Sequence, residues 1–323
     1  MKRSPFRSVM TARLLLGLCL VCLALLPLSL PAQTVIDLNG GGVRGKTIDD
    51  YKLKQKTAER ARADSLAYMD HLTRAFNALH DDSLAKAESL FNQALKTRPD
   101  APGNYIVAYN LGLICLAQNR YAEAVERFDD VLRDRPDLVE ARYDRAVCYY
   151  ESGNLTASLQ DCQTLLNGDL DNDWKTRVLF LRSAVYSKSH QADLGKLDLE
   201  EILRLDPDNR SAMLLLAGAL EELGQPQGAL SRLNLFVAAY PDDVDGLVAR
   251  AELEMRLTQY DAARADYDAA ILLETSRAAL YVGRAKAWLA LDNKSAARKD
   301  LDRAIELGQT RGALTELYRQ AQQ

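Results

Sequence analysis

The chain has 323 residues, 41 basic and 45 acidic side chains and a net charge of −4, with 48% hydrophobic residues, 7% aromatic residues and 17 glycines. That balance describes an alanine- and leucine-rich helical protein, and no stretch alternates with the two-residue period of a half-buried strand. It excludes binding through a concentrated basic face, the feature that releases counterions from phosphates, so no nucleic acid is expected as a partner.

Residues 1–33 differ from the rest. Lys2, Arg3, Arg7 and Arg13 precede an apolar run from Leu14 to Leu30, Pro27 and Ser29 break its end, and Ala32 offers a small residue for cleavage. This order predicts a secretory signal peptide and an exported chain, periplasmic or secreted. A retained membrane anchor is the alternative. Lipidation is not expected, because Leu18 and Val21, which precede Cys19 and Cys22, are larger than the small residue a lipoprotein signal needs. Residues 1–32 hold four basic groups and no acids, so their removal takes the charge from −4 to −8. No stable membrane span is then expected, and the negative sign repels anionic headgroups.

Residues 34–67 read as a glycine-containing spacer followed by a charged leading helix. Gly40, Gly45, Lys46 and Thr47 fit the spacing of a phosphate loop. Such a loop works when a parallel sheet holds its amides around the phosphates and a second acid helps to hold magnesium. The repeats begin at Tyr68 and leave no room for that sheet. Gly40, Gly41 and Gly42 are better read as flexible chain, and no cofactor is expected.

From Tyr68 the chain is periodic. Pro99, Pro136, Pro207 and Pro241 recur at the interval that separates Pro207 from Pro241, lengthened by a three-residue insertion on two occasions. Small residues recur in the same register at Ala87, Ala124, Ser158, Gly195, Ala229, Ala263 and Ala297. Seven units follow, at 68–101, 105–138, 139–172, 176–209, 210–243, 244–277 and 278–311, with a C-terminal capping helix over 312–323. A unit of this length is one helix-turn-helix, which must stack on its neighbours to bury its apolar face.

Aligned with one another, Ala87, Phe91, Ala94, Leu95 and Pro99 match Ala124, Phe128, Val131, Leu132 and Pro136. On these residues the chain resembles the tetratricopeptide repeat family. The resemblance implies an all-α, right-handed superhelical solenoid of about seven helix-turn-helix units. It implies close helix crossings at Ala75, Gly112, Ala146, Ser183, Ala217, Ala251 and Ala285, all small. The bulky partners would be Tyr149, Tyr186 and Trp288 on first helices and Phe91, Phe128, Tyr267 and Leu301 on second helices. Leu170, Thr275 and Gln309 stand where proline would close the second helix, and those ends are less defined.

A second pattern lies across the units. On first helices Arg145, Arg182, Arg250 and Arg284 are followed, at one constant interval, by Asp161, Asp198, Asp266 and Asp300. Where Arg127 or Arg232 replaces the aspartate, the first helix carries Leu111 or Leu216, so no unit faces two cations; Arg74, opposite Leu90, is unpaired. These are expected to be ion pairs that staple the two helices of a unit.

Other chemistry is thin. Asp169, Asp171 and Asp173 have the opening spacing of a calcium loop, but Trp174 and Phe180 occupy its glycine and closing glutamate, so a polar connector is expected. Cys115, Cys148 and Cys162 fall on inward positions and are expected as buried thiols, with a pairing of Cys148 and Cys162 on the facing helices of one unit as the alternative, and His71, His80 and His190 are too scattered for a zinc site. No catalytic constellation is present, so the chain is expected not to be an enzyme.

The resemblance further implies that first helices line a concave groove for a peptide or partner protein. The groove positions are Tyr109, Leu113, Tyr143, Val147, Tyr150 and Phe180, followed by Gly218, Glu222, Glu252, Arg256 and Lys286. An aromatic front half suits an extended apolar or proline-containing segment; the alternative is that Tyr109 and Tyr143 pack between repeats. The family's cluster for a terminal carboxylate is matched only at Asn110. An extracytoplasmic interaction scaffold is the expected function, with a carbohydrate-binding or uptake-associated envelope component as the alternative.

Overall fold

The structure, a computed structural model, describes residues 46–322. The expected signal peptide and Gly40 to Gly45 of the phosphate-loop pattern lie outside the described residues. Every regular element among the described residues is helical. They are α1 (Lys46–His80), α2 (Leu84–Thr97), α3 (Asn104–Ala117), α4 (Tyr121–Asp134), α5 (Val139–Glu151), α6 (Leu155–Leu166), α7 (Asn172–Lys188) and α8 (Ala192–Leu205). They continue as α9 (Arg210–Glu222), α10 (Pro226–Ala239), α11 (Val244–Arg256), α12 (Tyr260–Leu273), α13 (Ala278–Ala290), α14 (Lys294–Glu306), a 3₁₀ turn (Arg311–Leu314) and α15 (Thr315–Gln320). The charged leading segment and the first helix of the first pair are thus one helix of 35 residues, α1. The chain divides into two compact units, the first ending at Leu165 and the second beginning at Leu166.

In both units odd-numbered helices pair with the even-numbered helices that follow them. The pairs close tightly because their crossing residues are small. Ala75, Gly112 and Ala146 are buried against second helices that offer Ala87, Ala124 and Ser158 in the first unit. Ser158 Oγ donates to the carbonyl of Ala146 at 2.8 Å, so even the polar member of the set is satisfied. In the second unit Gly195 faces the backbone of Ser183, where an added Cβ would stand 3.2 Å from its carbonyl oxygen. Around these crossings Phe91, Phe128, Tyr267 and Leu301 are buried, while Tyr149, Tyr186 and Trp288 are half-buried.

Each pair turns through one left-handed residue. Asp82, Asn119, Gly153, His190, Gly224, Thr258 and Asp292 all have positive φ, and each lies seven residues after the small crossing residue of its first helix. The left-handed residue lets the next amides satisfy carbonyls at the helix end, as Arg120 N–H does by donating to Cys115 at 2.9 Å. Second helices end on an extended residue before proline: Arg98, Arg135, Asp206 and Tyr240 have φ between −131° and −140°. Glu274, before Thr275, has φ −134°, so that end keeps its geometry without proline. At the last unit Gly308, with φ 97°, turns the chain instead.

Asp171 is the N-cap of α7, its carboxylate accepting from the Trp174 amide at 2.8 Å. The connector around Asp169 is polar and exposed. Beyond α14, Leu314 and Tyr318 pack into the core and Tyr318 Oη donates to Asp302 at 2.6 Å. Arg298 donates to the Ala321 carbonyl at 3.1 Å, fixing the end of this cap over the last pair.

Candidate functional site

The four arginine–aspartate staples form as forks. Arg145 Nε and Nη2 donate to Asp161 at 2.8 and 2.6 Å, and Arg182, Arg250 and Arg284 bind Asp198, Asp266 and Asp300 in the same way. All four aspartates are buried. Arg145, Arg250 and Arg284 also reach back. Arg145 Nη1 donates to Asp129 at 2.6 Å, Arg250 to Asn234 at 3.0 Å and Arg284 to Asp268 at 2.7 Å. Each therefore joins its own second helix to that of the preceding pair. Burial works against the Arg145 charge, but the hydrogen bonds to Asp161 and then Asp129 outweigh it and hold the guanidinium above its ordinary range. Each backward acceptor precedes its arginine by the same interval at which the forward aspartate follows it, and that mirror symmetry is the sequence signal that identifies them. Arg74 instead pairs with Asp70 at 3.1 Å on the exposed face of α1.

The groove positions of the first unit separate by burial. Tyr109, Tyr143 and Tyr150 are half-buried on α3 and α5. Leu113 and Val147, expected to line the surface, are corrected to core: they are 1% and 4% exposed. Each lies four residues after a groove tyrosine, a step of about 40° around the helix, which carries the side chain from the edge into the packing beneath it. Tyr109 does more than face outward. Its ring lies 5.8 Å from that of Phe128, and its hydroxyl donates to Asp144 of α5 at 2.7 Å. Tyr109 therefore joins neighbouring repeats, and the buried Asp144 is a partner that sequence reasoning did not identify.

In the second unit Phe180, Leu214, Val248 and Val282 occupy matching half-buried positions on α7, α9, α11 and α13. Gly218, Glu222, Glu252, Arg256 and Lys286 lie on α9, α11 and α13, and all five are exposed. Arg256 pairs with Glu221 at 2.6 Å and Ser187 Oγ donates to Glu222 at 3.2 Å, so polar contacts join successive first helices here. Cys115, Cys148 and Cys162 are buried free thiols, and burial pushes Cys148 well above the ordinary thiol range. No helix among the described residues is long and apolar enough to cross a membrane.

Repeated helix pairs with small crossings, phased left-handed turns and stacked neighbours define a helical repeat protein built for contact surface. Tetratricopeptide repeat models match residues 109–173 and 248–312 in one form and 78–137 and 189–251 in another. The chain belongs to the tetratricopeptide repeat family, whose members generally mediate protein–protein interaction. A crystallised tetratricopeptide repeat protein from Parabacteroides merdae is similar in fold, with a TM-score of 0.63 and 24% identity over 80% of this chain and 100% of that one. The C-terminal part of a TPR repeat-containing protein from Cytophaga hutchinsonii aligns with a TM-score of 0.53 and 18% identity, over 62% of this chain and 78% of that one. The DnaJ homolog subfamily C member 7 homolog of Schizosaccharomyces pombe is 29% identical over 197 residues, which is 57% of this chain and 40% of that protein. The chain thus spans less than half the length of that relative.

Proposed function

We propose that the chain is an exported, non-catalytic scaffold that holds a peptide or partner protein on the first-helix face of its repeats. The reading rests on Tyr143 and Tyr150, two half-buried rings placed two turns apart on α5. Rings so held offer contact area at little entropic cost, which suits an extended apolar or proline-containing ligand. Export is read from the basic residues and apolar run of 1–33. The family is typically non-enzymatic, and the scaffold reading needs no chemistry beyond recognition.

A photo-crosslinking residue at Tyr143 or Tyr150 of the full chain tests this directly in cells. Discrete protein adducts are expected from those sites and not from the exposed Glu126 on α4. Equal labelling from all three positions removes the first-helix face as the site. N-terminal sequencing of the fractionated protein is expected to begin near Gln33 or Thr34. Recovery of Met1 from cytosol defeats export while leaving the surface assignment to the crosslinks.

A further inference from the structure

We propose that Glu254 is a proton-controlled release for the Arg250–Asp266 staple of the sixth helix pair. Glu254 lies on α11 and is 6% exposed, and its Oε2 is buried with no hydrogen-bond partner. A carboxylate in that state is costly, whereas the neutral acid is tolerated far better.

Its place in the repeat explains the difference. Glu254 stands three residues after the small crossing residue Ala251; the same step leads from Ala146 to Tyr149, from Ser183 to Tyr186 and from Ala285 to Trp288. A carboxyl therefore occupies a position where three other pairs place a ring. In two of those pairs the stapling arginine also lies over the ring, with Arg145 5.9 Å from Tyr149 and Arg182 5.9 Å from Tyr186. Arg250 has the same four-residue relation to Glu254, so the two share one helical face. The sixth pair has exchanged an aromatic floor for an acid.

With Glu254 neutral, Arg250 donates twice to Asp266 at 2.7 Å and once to Asn234 at 3.0 Å, tying α10, α11 and α12 together. Ionised Glu254 places a second carboxylate beside Asp266 to compete for one guanidinium. Repulsion between the acids and attraction at Arg250 then both act against the fork. Of the charged groups on the packed helices, Asp266 of α12 acts against ionised Glu254, and the group of α10 that shares Arg250 is the neutral Asn234. Arg284 is already held by Asp268 and Asp300. Glu252 and Arg256 lie on the same helix as Glu254. Burial first, and then Asp266, push the Glu254 carboxyl up to about 7, with Arg250 opposing.

The sign follows from that direction. A carboxyl raised in the folded state favours folding below its unfolded value, and this contribution is lost as pH rises through the folded value. The sixth pair should therefore be held shut in mild acid and loosen through neutrality.

Carboxyl carbon NMR on the full chain gives the first readout. The expected Glu254 midpoint is near 7, and a midpoint in the ordinary carboxylate range overturns the proposal. Hydrogen exchange gives the second. From about pH 5.5 to about 8.5, protection in α12, corrected for intrinsic exchange, should fall about tenfold or more. Glu254→Gln should flatten that profile. Glu254→Tyr, which restores the ring of the other pairs, should flatten it and keep α12 protected at the alkaline end. An unchanged pH profile in both variants overturns the proposal.

Discussion

The two units place the same contact, an aromatic ring against a glycine, at different joints. In the first unit Phe128 of α4 covers Gly112 of α3, where an added Cβ would stand 2.7 Å from the ring. The joint is internal to one helix pair. In the second unit Phe236 of α10 covers Gly246 of α11, and Tyr267 of α12 covers Gly283 of α13; an added Cβ would overlap either ring. Those joints lie between successive pairs. A stacked repeat protein is stabilised by the intrinsic stability of each pair and by the interfaces that couple pairs. The first unit uses this contact within a pair and the second uses it for coupling. Similar sequence devices therefore fail in different ways.

The largest effect that follows is at Phe128. Its ring is fully buried and meets both Gly112 and Tyr109. Phe128→Ala should cost about 3–5 kcal/mol, through lost transfer energy and the cavity left behind. Hydrogen exchange should show the loss centred on α3 and α4, with α13 and α14 nearly unchanged. A uniform loss over both units contradicts an effect local to the pair.

An intermediate effect belongs to Gly246. Gly246→Ala forces the Phe236 ring from its seat, an overpacking cost of about 1–3 kcal/mol. The loss should appear as weaker coupling, with α9–α10 and α11–α12 unfolding at separate denaturant midpoints. Gly112→Ala, by contrast, should weaken α3–α4 without separating neighbouring pairs. If both variants give the same pattern, the distinction between the two joints collapses.

The positions that repeat were the legible ones. A small residue at a helix crossing, or an arginine at a constant interval before an aspartate, is fixed by the geometry of one pair, and recurrence across units separates it from chance. The all-helical fold and the staples could be read for that reason. Exposure was less legible because it depends on which neighbour covers a position. Leu113 and Val147 differ from Tyr109 and Tyr143 by one helical turn, and no periodicity says which side of that turn is covered. The hydrogen bond between Tyr109 and Asp144 joins two successive first helices through one hydroxyl, a contact with no recurrence in the sequence to announce it. Glu254 breaks the pattern at a ring position, and its meaning appears only with Arg250, Asp266 and Asn234 around it.

The smallest effect is in the turns, where the units again differ. The first unit turns through Asp82, Asn119 and Gly153, residue types that take a left-handed backbone readily. The second includes Thr258, with φ 60°. A β-branched residue is a poor occupant of that region, because its side chain crowds the following carbonyl at a cost of about 1–2 kcal/mol. Glycine relieves the crowding but adds freedom to the unfolded chain, which offsets about 0.5–1 kcal/mol of the gain. Asparagine tolerates the left-handed region without that full entropic loss. Thr258→Asn should therefore stabilise the sixth pair by about 1 kcal/mol and Thr258→Gly by less. Asn119→Gly, where the native residue already suits the turn, should give no gain. Equilibrium denaturation resolved by exchange in α11 and α12 provides the measurement, and a loss of stability in Thr258→Asn would mean that the threonine makes a compensating contact outweighing its backbone strain.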